Sequence, residues 1–171
     1  LHRLVQVDSS TQAQAALDAG RGHAHSDADQ ADVAARVLAC VDAARASAWA
    51  QTTLDARCNW LAKVGSEAEA TAARQQLSSQ WLPGPTGESN ELRLHPRGVF
   101  GAVADTVDVG VLSTWMSALA CGNPLVIVVP AASRGAAQRA VAAWVAAGLP
   151  PGAAQLVDAP FEEAAAVLAC A

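Results

Sequence analysis

The sequence predicts an α/β fold in which half of a doubly wound parallel sheet follows an α-helical connector. Two patterns carry this prediction: apolar residues recur at helical spacing up to about residue 82, and short apolar runs alternate with helical patterns after it. A third observation is the run PLVIVV from Pro124, which is apolar throughout and rich in β-branched residues. Such a run is typical of a parallel strand buried on both faces.

The composition is that of a globular protein and excludes several classes. The chain has 171 residues, 52% of them hydrophobic and 16% charged, and a formal net charge of −5. This acidic balance argues against nucleic-acid contacts, and no apolar run approaches the roughly 20 residues that span a bilayer. The start, LHRLVQVDSS, has neither Met nor the apolar core of a signal peptide, so we expect a fragment of a longer protein.

Residues 1–82 form the predicted connector, in which every element is expected to be helix or loop. TQAQAALDAG predicts a short helix that stops at Gly20. The stretch from Asp29 to Ala50 predicts a long amphipathic helix, with Asp27 or Asp29 as its cap. Its apolar stripe consists of Val33, Val37, Cys40, Val41 and Ala44.

Two more helices complete the connector. TTLDARCNWLAKVG repeats the apolar stripe and stops at Gly65, and SEAEATAARQQL opens with Ser66 and Glu69 at the spacing of a capping box. Three tryptophans are expected to anchor these helices in a core or at an interface: Trp49, Trp60 and Trp81.

Residues 83–171 form the predicted half-sheet, in which strands and helices alternate. GVFGAVA, PLVIVV and AAQLVDA predict three strands, and a helical pattern follows each of them. The first helix stops at Gly122, the second is capped by Ser133 and stops at Gly148, and the third begins at Pro160. This order is one half of a Rossmann-like sheet. Because the half-sheet ends after its third strand, we expect an open strand edge and one uncovered apolar face. Trp115 and Trp144, on the first two helices, are expected to pack against the sheet.

No metal or phosphate site is predicted. Four separated cysteines, Cys40, Cys58, Cys121 and Cys170, form no CxxC pair and are expected to be reduced core residues. His23 and His25 lack a third ligand nearby, so a solvated loop is expected there. GPTGESN lacks the order of a phosphate-binding loop and is expected to form a turn into the first strand.

Three motifs resemble the nucleotide-binding domain of the aldehyde dehydrogenase superfamily: HPRGVFGAV, ALACGNPLVIVVPAA and AAGLPPGAAQLV. They correspond to that family's P-x-G-V, A-L-x-x-G-N-x-V-x-x-K-P-x-E and A-G-x-P-x-G-V patterns. LPGPTGESNELRLHPRGVFGAVADT and the initial LHRLVQ look like parts of the region appended to the catalytic domains in the bifunctional proline utilization A family.

The resemblance implies a longer parent protein that oxidises proline to glutamate. Such a parent joins an FAD-dependent proline dehydrogenase to an NAD-dependent L-glutamate γ-semialdehyde dehydrogenase. The parent is expected to be cytoplasmic and to form homo-oligomers, and a peripheral association with the inner membrane stays open. The appended region is a degenerate aldehyde-dehydrogenase-like domain that contacts the catalytic domains of its own chain, and the nucleophilic Cys lies in a domain outside this sequence.

The positions that carry function in the family are altered in this sequence. Thr106 stands where the family has the Asn that donates to the oxyanion, and the loss of such a donor costs on the order of 100- to 1000-fold in rate. Val129 and Ala132 replace the Lys and Glu that hold the adenosine ribose. Cys121 matches a small packing residue of the family pattern. The sequence therefore predicts no catalytic, cofactor-binding or metal site, and a structural role for the fragment.

Two other functions stay open from the sequence alone. A divergent aldehyde dehydrogenase domain could bind NAD in another way, although Val129 and Ala132 argue against it. A stand-alone binding module of unknown ligand is the second alternative, and its reading frame would start close to Leu1 and stop near Ala171.

Overall fold

The computed structural model describes residues 2–6 and 27–169. Its strands are β1 (His2–Gln6), β2 (Gln80–Leu82), β3 (Asn90–Leu92), β4 (Phe100–Ala104), β5 (Leu125–Val128) and β6 (Ala154–Leu156). Its helices are α1 (Asp27–Arg45), α2 (Leu54–Lys63), α3 (Glu67–Leu77), α4 (Val109–Ala120), α5 (Ala131–Ala146) and α6 (Phe161–Ala169), with a 3₁₀ helix at Ala48–Gln51. The predicted helix ending at Gly20, His23, His25 and Cys170 lie outside the described residues.

The main sheet confirms the predicted fold class. Its strand order is β1-β4-β5-β6, and β4, β5 and β6 run parallel, with Phe100 opposite Leu125 and Leu125 opposite Ala154. Helices α4 and α5 connect these parallel strands, as in one half of a Rossmann-like sheet. The carboxyl ends of the three strands therefore meet at one edge of the sheet and their amino ends at the other.

Strand β5 lies at the centre of the core and is buried on both faces, as predicted. Leu125, Ile127 and the following Val129 belong to the apolar cluster that includes α4 and α5. Val126 and Val128 belong to the cluster that includes α1 and α6. All five side chains are at most 2% exposed, and burial of each contributes about 1.5–3 kcal/mol.

The prediction of an uncovered apolar face is wrong. Helices α1 and α6 pack on the face opposite α4 and α5. Val33, Val37 and Val41 of α1, assigned from the sequence to the connector, are at most 4% exposed in that layer. The stripe on α1 is thus complementary to this face, which a pattern on a single helix does not reveal. The boundary between residues 82 and 83 stays a prediction.

The predicted open edge lies beyond the third strand of the half-sheet, where β6 pairs only with β5 among the described residues. The opposite edge, beside β4, is occupied. Strand β1 pairs antiparallel with β4, so that Leu4 stands opposite Ala102. The expectation that everything before Pro83 is helix or loop is therefore wrong for β1, and also for β2. Both strands are short, with five and three residues, and pair with partners that their own sequence pattern does not indicate.

Several predicted helix ends are confirmed. Gly65, Gly122 and Gly148 follow helices with φ of 79°, 82° and 104°, a region that glycine adopts without strain. The long helix ends at Arg45 rather than Ala50, because Ser47 starts the 3₁₀ helix by accepting a hydrogen bond from the Trp49 amide.

The two predicted serine caps have different outcomes. Ser66 occupies the N-cap position of α3 as predicted, but its side chain makes no capping hydrogen bond. The predicted capping box is therefore incomplete, and Glu69 accepts a hydrogen bond of 2.5 Å from the Ser113 hydroxyl of α4. Ser133 lies inside the first turn of α5, where Pro130 holds the N-cap position. Its hydroxyl donates to the Asp105 carbonyl at 2.8 Å.

The expected packing of Trp115 and Trp144 is confirmed. They are 1% and 4% exposed, belong to the cluster that contains Leu125 and Ile127, and contact each other edge to face with ring centroids 6.2 Å apart. Trp49 and Trp60 are buried as well, at 2% and 4%. Trp81, expected to anchor the helices, is 72% exposed instead, because it lies on β2.

The turn before β6 brings the connector against the half-sheet at one glycine. Gly152 has a φ of 85°, and a Cβ atom there would collide with the Ala43 carbonyl oxygen in the last turns of α1. Gly148 shares the positive φ but has nothing within 4 Å of the position that a Cβ would take. Comparing the same substitution at the two glycines therefore separates the effect of backbone strain from the effect of close packing.

We expect Gly148→Ala to lower the free energy of unfolding by about 1–2 kcal/mol, the strain of a side chain at positive φ. Gly152→Ala has the same strain and also displaces α1, so it should cost about 1–3 kcal/mol more. Urea unfolding followed by circular dichroism measures both. Equal losses in the two variants would contradict the close contact between α1 and the turn.

Candidate functional site

The three motif turns lie together at the amino edge of the parallel sheet. Gly98 precedes β4 with a φ of 116°, Gly122 and Asn123 precede β5, and Gly152 precedes β6. The parts of the family motifs that this sequence keeps are therefore the turns that lead into the strands. Turns at this edge set where each strand begins.

Asn123 joins two of these turns. Asn123 is only 5% exposed. Its Oδ1 accepts a hydrogen bond of 2.7 Å from the Arg97 amide, in the segment that leads into β4. A Cβ on Gly122 would lie 2.7 Å from Pro96 Cγ and 2.8 Å from Arg57 Nη1. The G-N pair of the motif thus has a role in packing and in one partly buried hydrogen bond, and neither role requires a ligand.

Arg57 is a buried cation at this edge that the sequence did not reveal as important. The residue is 7% exposed, and its Nε donates to the Ala120 carbonyl at 2.9 Å while Nη1 donates to the Thr52 carbonyl at 2.6 Å. Burial lowers the pKa of the guanidinium from its ordinary value. A signal was present: with Leu54, Cys58 and Leu61, Arg57 falls on the apolar stripe of α2.

The carboxyl edge holds the positions where the family pattern places its functional groups. Thr106 is exposed two residues after β4, Val129 is 2% exposed directly after β5, and Ala132 is exposed in the first turn of α5. Because β4 and β5 are neighbours, the structure brings these predicted positions to one edge. Together they present one hydroxyl group and two apolar side chains.

An NAD ribose does not fit this set of groups. Val129 and Ala132 carry no polar side-chain atom, so neither can exchange hydrogen bonds with ribose hydroxyls. Thr106 offers a hydroxyl beside the exposed carboxylate of Asp105, whose charge is unfavourable near a developing anion. Val129 and Ala132 therefore do not offer the ribose the polar contacts that the Lys and Glu of the family pattern supply.

At the same edge, polar side chains at the start of α5 form contacts with the segments that follow β4 and β6. The Ser133 hydroxyl donates to the carbonyl of Asp105 after β4. Arg134 forms an ion pair with Asp158 after β6, and Arg36 of α1 donates to the Asp158 carbonyl at 2.9 Å. Polar groups near the first turn of α5 are thus engaged within the protein.

The cysteines differ in burial, so their common assignment to the core is only partly right. Cys58 is fully buried, Cys40 is half-buried, and Cys121 is exposed at the C-terminal cap of α4. The prediction that Cys121 packs in the core is therefore wrong, because the helix ends at the protein surface there. Partial burial still raises the pKa of its thiol, and the Coulomb effect of Arg57 offsets this only in part. A raised thiol pKa disfavours the thiolate, which is the nucleophilic form of cysteine.

A shallow groove of about 280 Å³ runs between α3 and α4, and its lining is mostly apolar. Glu69, its acidic residue, is held by Ser113. In residues 2–6 and 27–169, no three His, Cys, Asp or Glu side chains lie close enough together to hold a metal ion. No helix within these ranges is long and apolar enough to cross a membrane.

The Gly/Pro-rich segment forms the loop of a hairpin rather than a turn directly into the first parallel strand. Strands β2 and β3 pair antiparallel, with Trp81 opposite Glu91, and form a two-stranded sheet apart from the main one. Large apolar side chains are exposed on this hairpin and just after it: Trp81 (72%), Leu82 (46%), Leu92 (43%) and Leu94 (54%). An isolated two-stranded hairpin is marginally stable in water, so this hairpin is a candidate contact surface.

Comparisons with known proteins place the chain among two groups of solved structures. No protein-family model and no curated protein matches it. A variant of Bradyrhizobium japonicum proline utilization A matches 92% of the chain with a TM-score of 0.69 and 24% identity, and a structure of bifunctional proline utilization A matches with 0.67 and 24%. The chain spans about a fifth of the length of these proteins, 20% in both.

The second group consists of aldehyde dehydrogenases. The Bacillus cereus enzyme, solved as its NAD⁺ complex, matches 82% of the chain and 36% of its own length, with a TM-score of 0.60 and 20% identity. Identities of this size show the fold. The chain therefore has the fold of a region of proline utilization A and of aldehyde dehydrogenases, as its sequence motifs predicted.

Proposed function

We propose that the chain is a non-catalytic, aldehyde-dehydrogenase-like region of a longer bifunctional protein that oxidises proline to glutamate. In this proposal the parent is cytoplasmic and carries the FAD and NAD sites in its catalytic domains, and this region binds neither cofactor. Its role is structural: it packs on the catalytic domains, supports oligomer formation, or covers the route of the reaction intermediate.

One observation carries the proposal: the amino edge of the sheet keeps the residues of the family motifs, whereas the carboxyl edge does not. At the amino edge, Gly122 and Asn123 remain in tight packing with Pro96 and Arg97. At the carboxyl edge, Val129 and Ala132 offer no polar group. A domain that still bound a dinucleotide would need polar groups at the carboxyl edge, whereas a domain used for its shape needs only the fold.

The chemistry of the intermediate gives a covering domain a purpose. In the proposed parent, L-glutamate γ-semialdehyde is reactive and equilibrates with a cyclic imine. A domain that excludes solvent from the passage between the two active sites would reduce its escape without contacting either reacting centre.

The hairpin of β2 and β3 is the surface that best fits packing on the rest of the parent. Leu92 pairs with Gln80, which lies two residues before Leu82 on the same face of β2. Leu82 and Leu92 therefore share one face of the hairpin, and Trp81 lies on the opposite face. Its ion pair between Glu91 and Arg93 leaves the apolar side chains as the dominant exposed feature. Exposed aromatic residues of this kind are frequent anchors of protein interfaces.

The first prediction concerns NAD. Titration calorimetry of the chain with NAD should show no binding up to millimolar concentrations, because the ribose would find no partner at Val129 or Ala132. The Bacillus cereus aldehyde dehydrogenase, whose structure holds NAD⁺, is the positive control. A dissociation constant in the micromolar range would overturn the proposed loss of cofactor binding.

The second prediction concerns intermediate transfer in the parent. Deletion of residues 1–171 as a whole is preferable to deletion from Pro83, because α1, α2 and α3 bury apolar side chains against the half-sheet. We expect a lengthened lag before NADH appears in the coupled assay, while dye-coupled proline dehydrogenation stays within about twofold. An unchanged lag together with an unchanged oligomer in light scattering would leave the structural role without support.

The third prediction concerns the hairpin. Trp81→Ser combined with Leu94→Ser in the parent should weaken assembly roughly 10-fold or more, as expected when an interface anchor is lost. Stability of the chain itself should change by less than about 0.5 kcal/mol for each exposed site. Val109→Ser, at a residue 83% exposed but outside the hairpin, is the matched control. Equal assembly of both variants, measured by sedimentation, would exclude the hairpin as the contact surface.

A further inference from the structure

Three buried side chains of the N-terminal helices donate hydrogen bonds to helices of the half-sheet. Trp49 Nε1 donates to the Leu119 carbonyl at 2.9 Å, and Arg57 Nε donates to the Ala120 carbonyl at 2.9 Å. Trp60 Nε1 donates to the Trp144 carbonyl at 3.2 Å. The donors lie within 12 positions of one another in the sequence, and they reach acceptors 63 to 84 residues away.

All three acceptors lie in the last turn of a helix. Leu119 and Ala120 end α4, and Trp144 is close to the end of α5 at Ala146. The last four carbonyls of a helix have no partner within the helix, and a buried carbonyl that stays without a partner destabilises the fold. The amides of Gly122 and Leu149 also donate to the Leu119 and Trp144 carbonyls, so the contact of Arg57 with Ala120 matters most.

Arg57 is suited to this position in two further ways. Its positive charge lies at the C-terminus of α4, where the helix dipole favours a cation. Its guanidinium also lies against Gly122. The same side chain therefore contacts the end of α4, the turn into β5 and the Thr52 carbonyl in the segment before α2. No other single side chain described above joins these three segments.

We infer that Trp49, Arg57 and Trp60, here named the latch, lock the N-terminal helices and the half-sheet into one cooperative unit. Arg57 is its central positioning residue. The segment assigned from the sequence as a connector is then an integral cap of the half-sheet, and α2 and α3 keep a fixed orientation to the sheet. This inference does not depend on the proposed role in proline catabolism.

Native-state hydrogen exchange of the whole chain, measured by mass spectrometry on peptides, tests the latch. In the wild-type chain, the slowest amides of α2 and α3 should exchange within about threefold of the slowest amides of β4 and β5. Arg57→Met keeps most of the side-chain volume but removes every donor. It should speed exchange in α2 and α3 at least 10-fold relative to β4 and β5.

Two further variants make the outcome decisive. Arg74→Met removes a guanidinium of α3 that donates to Asn59 on the exposed surface. It should leave unchanged the ratio of the exchange rate in α2 and α3 to the exchange rate in β4 and β5. Arg57→Lys keeps the charge, and it gives a folded variant if Arg57→Met does not fold. It should raise the ratio less than Arg57→Met does.

Two results would overturn the latch. One is a wild-type chain in which α2 and α3 already exchange 100-fold faster than β4 and β5, which would show that the helices open independently. The other is a folded Arg57 variant in which both regions exchange faster by the same factor or do not change. Either result would remove the special role of Arg57 in coupling them.

Discussion

The burial of β5 between two helical layers is the constraint on which the rest of the structure depends. Its side chains alternate between a cluster with α4 and α5 and a cluster with α1 and α6. Since neither face of this strand can meet water, both layers must be present. Helix α1 is therefore required to cover one face of the sheet. The turns that place β5 beside its neighbouring strands are required for the same burial.

This constraint explains why the amino edge and the carboxyl edge of the sheet differ. Substitution of Gly122 or Asn123 would disturb contacts with Pro96, Arg57 or Arg97 and so the position of β5 itself. Side chains at the carboxyl edge, such as Thr106 and Ala132, are exposed and contribute little to the core. A chain that no longer needs a ligand can change them at small cost in stability. We propose that, for this reason, the fold is kept although the functional residues of the family pattern are absent.

The elements dominated by local pattern were predictable from the sequence. PLVIVV is apolar throughout and forms β5, and glycines at 65, 122 and 148 stop helices because they accept positive φ. The differences from the aldehyde dehydrogenase pattern at Val129 and Ala132 could also be read directly from the sequence. The meeting of these positions with Thr106 at one edge then follows from the parallel order of the strands.

The elements that depend on distant partners were not predictable. Strand β1 pairs with β4 about 100 positions away, and Glu69 leaves its expected capping box because Ser113 of another helix offers a hydroxyl. Trp81 has the character of a core residue but lies on a hairpin apart from the main sheet. Arg57 interrupts an apolar stripe, and only the structure shows that helix-end carbonyls accept its donors.

The claim that the carboxyl edge has lost its ligand is tested most directly by nuclear magnetic resonance. Backbone amide shifts of the isotopically labelled chain are followed as NAD is added to millimolar concentration. We expect no saturable shifts at residues 104–109 or 129–134, the two segments that follow β4 and β5. Saturable shifts confined to those two segments would contradict this claim.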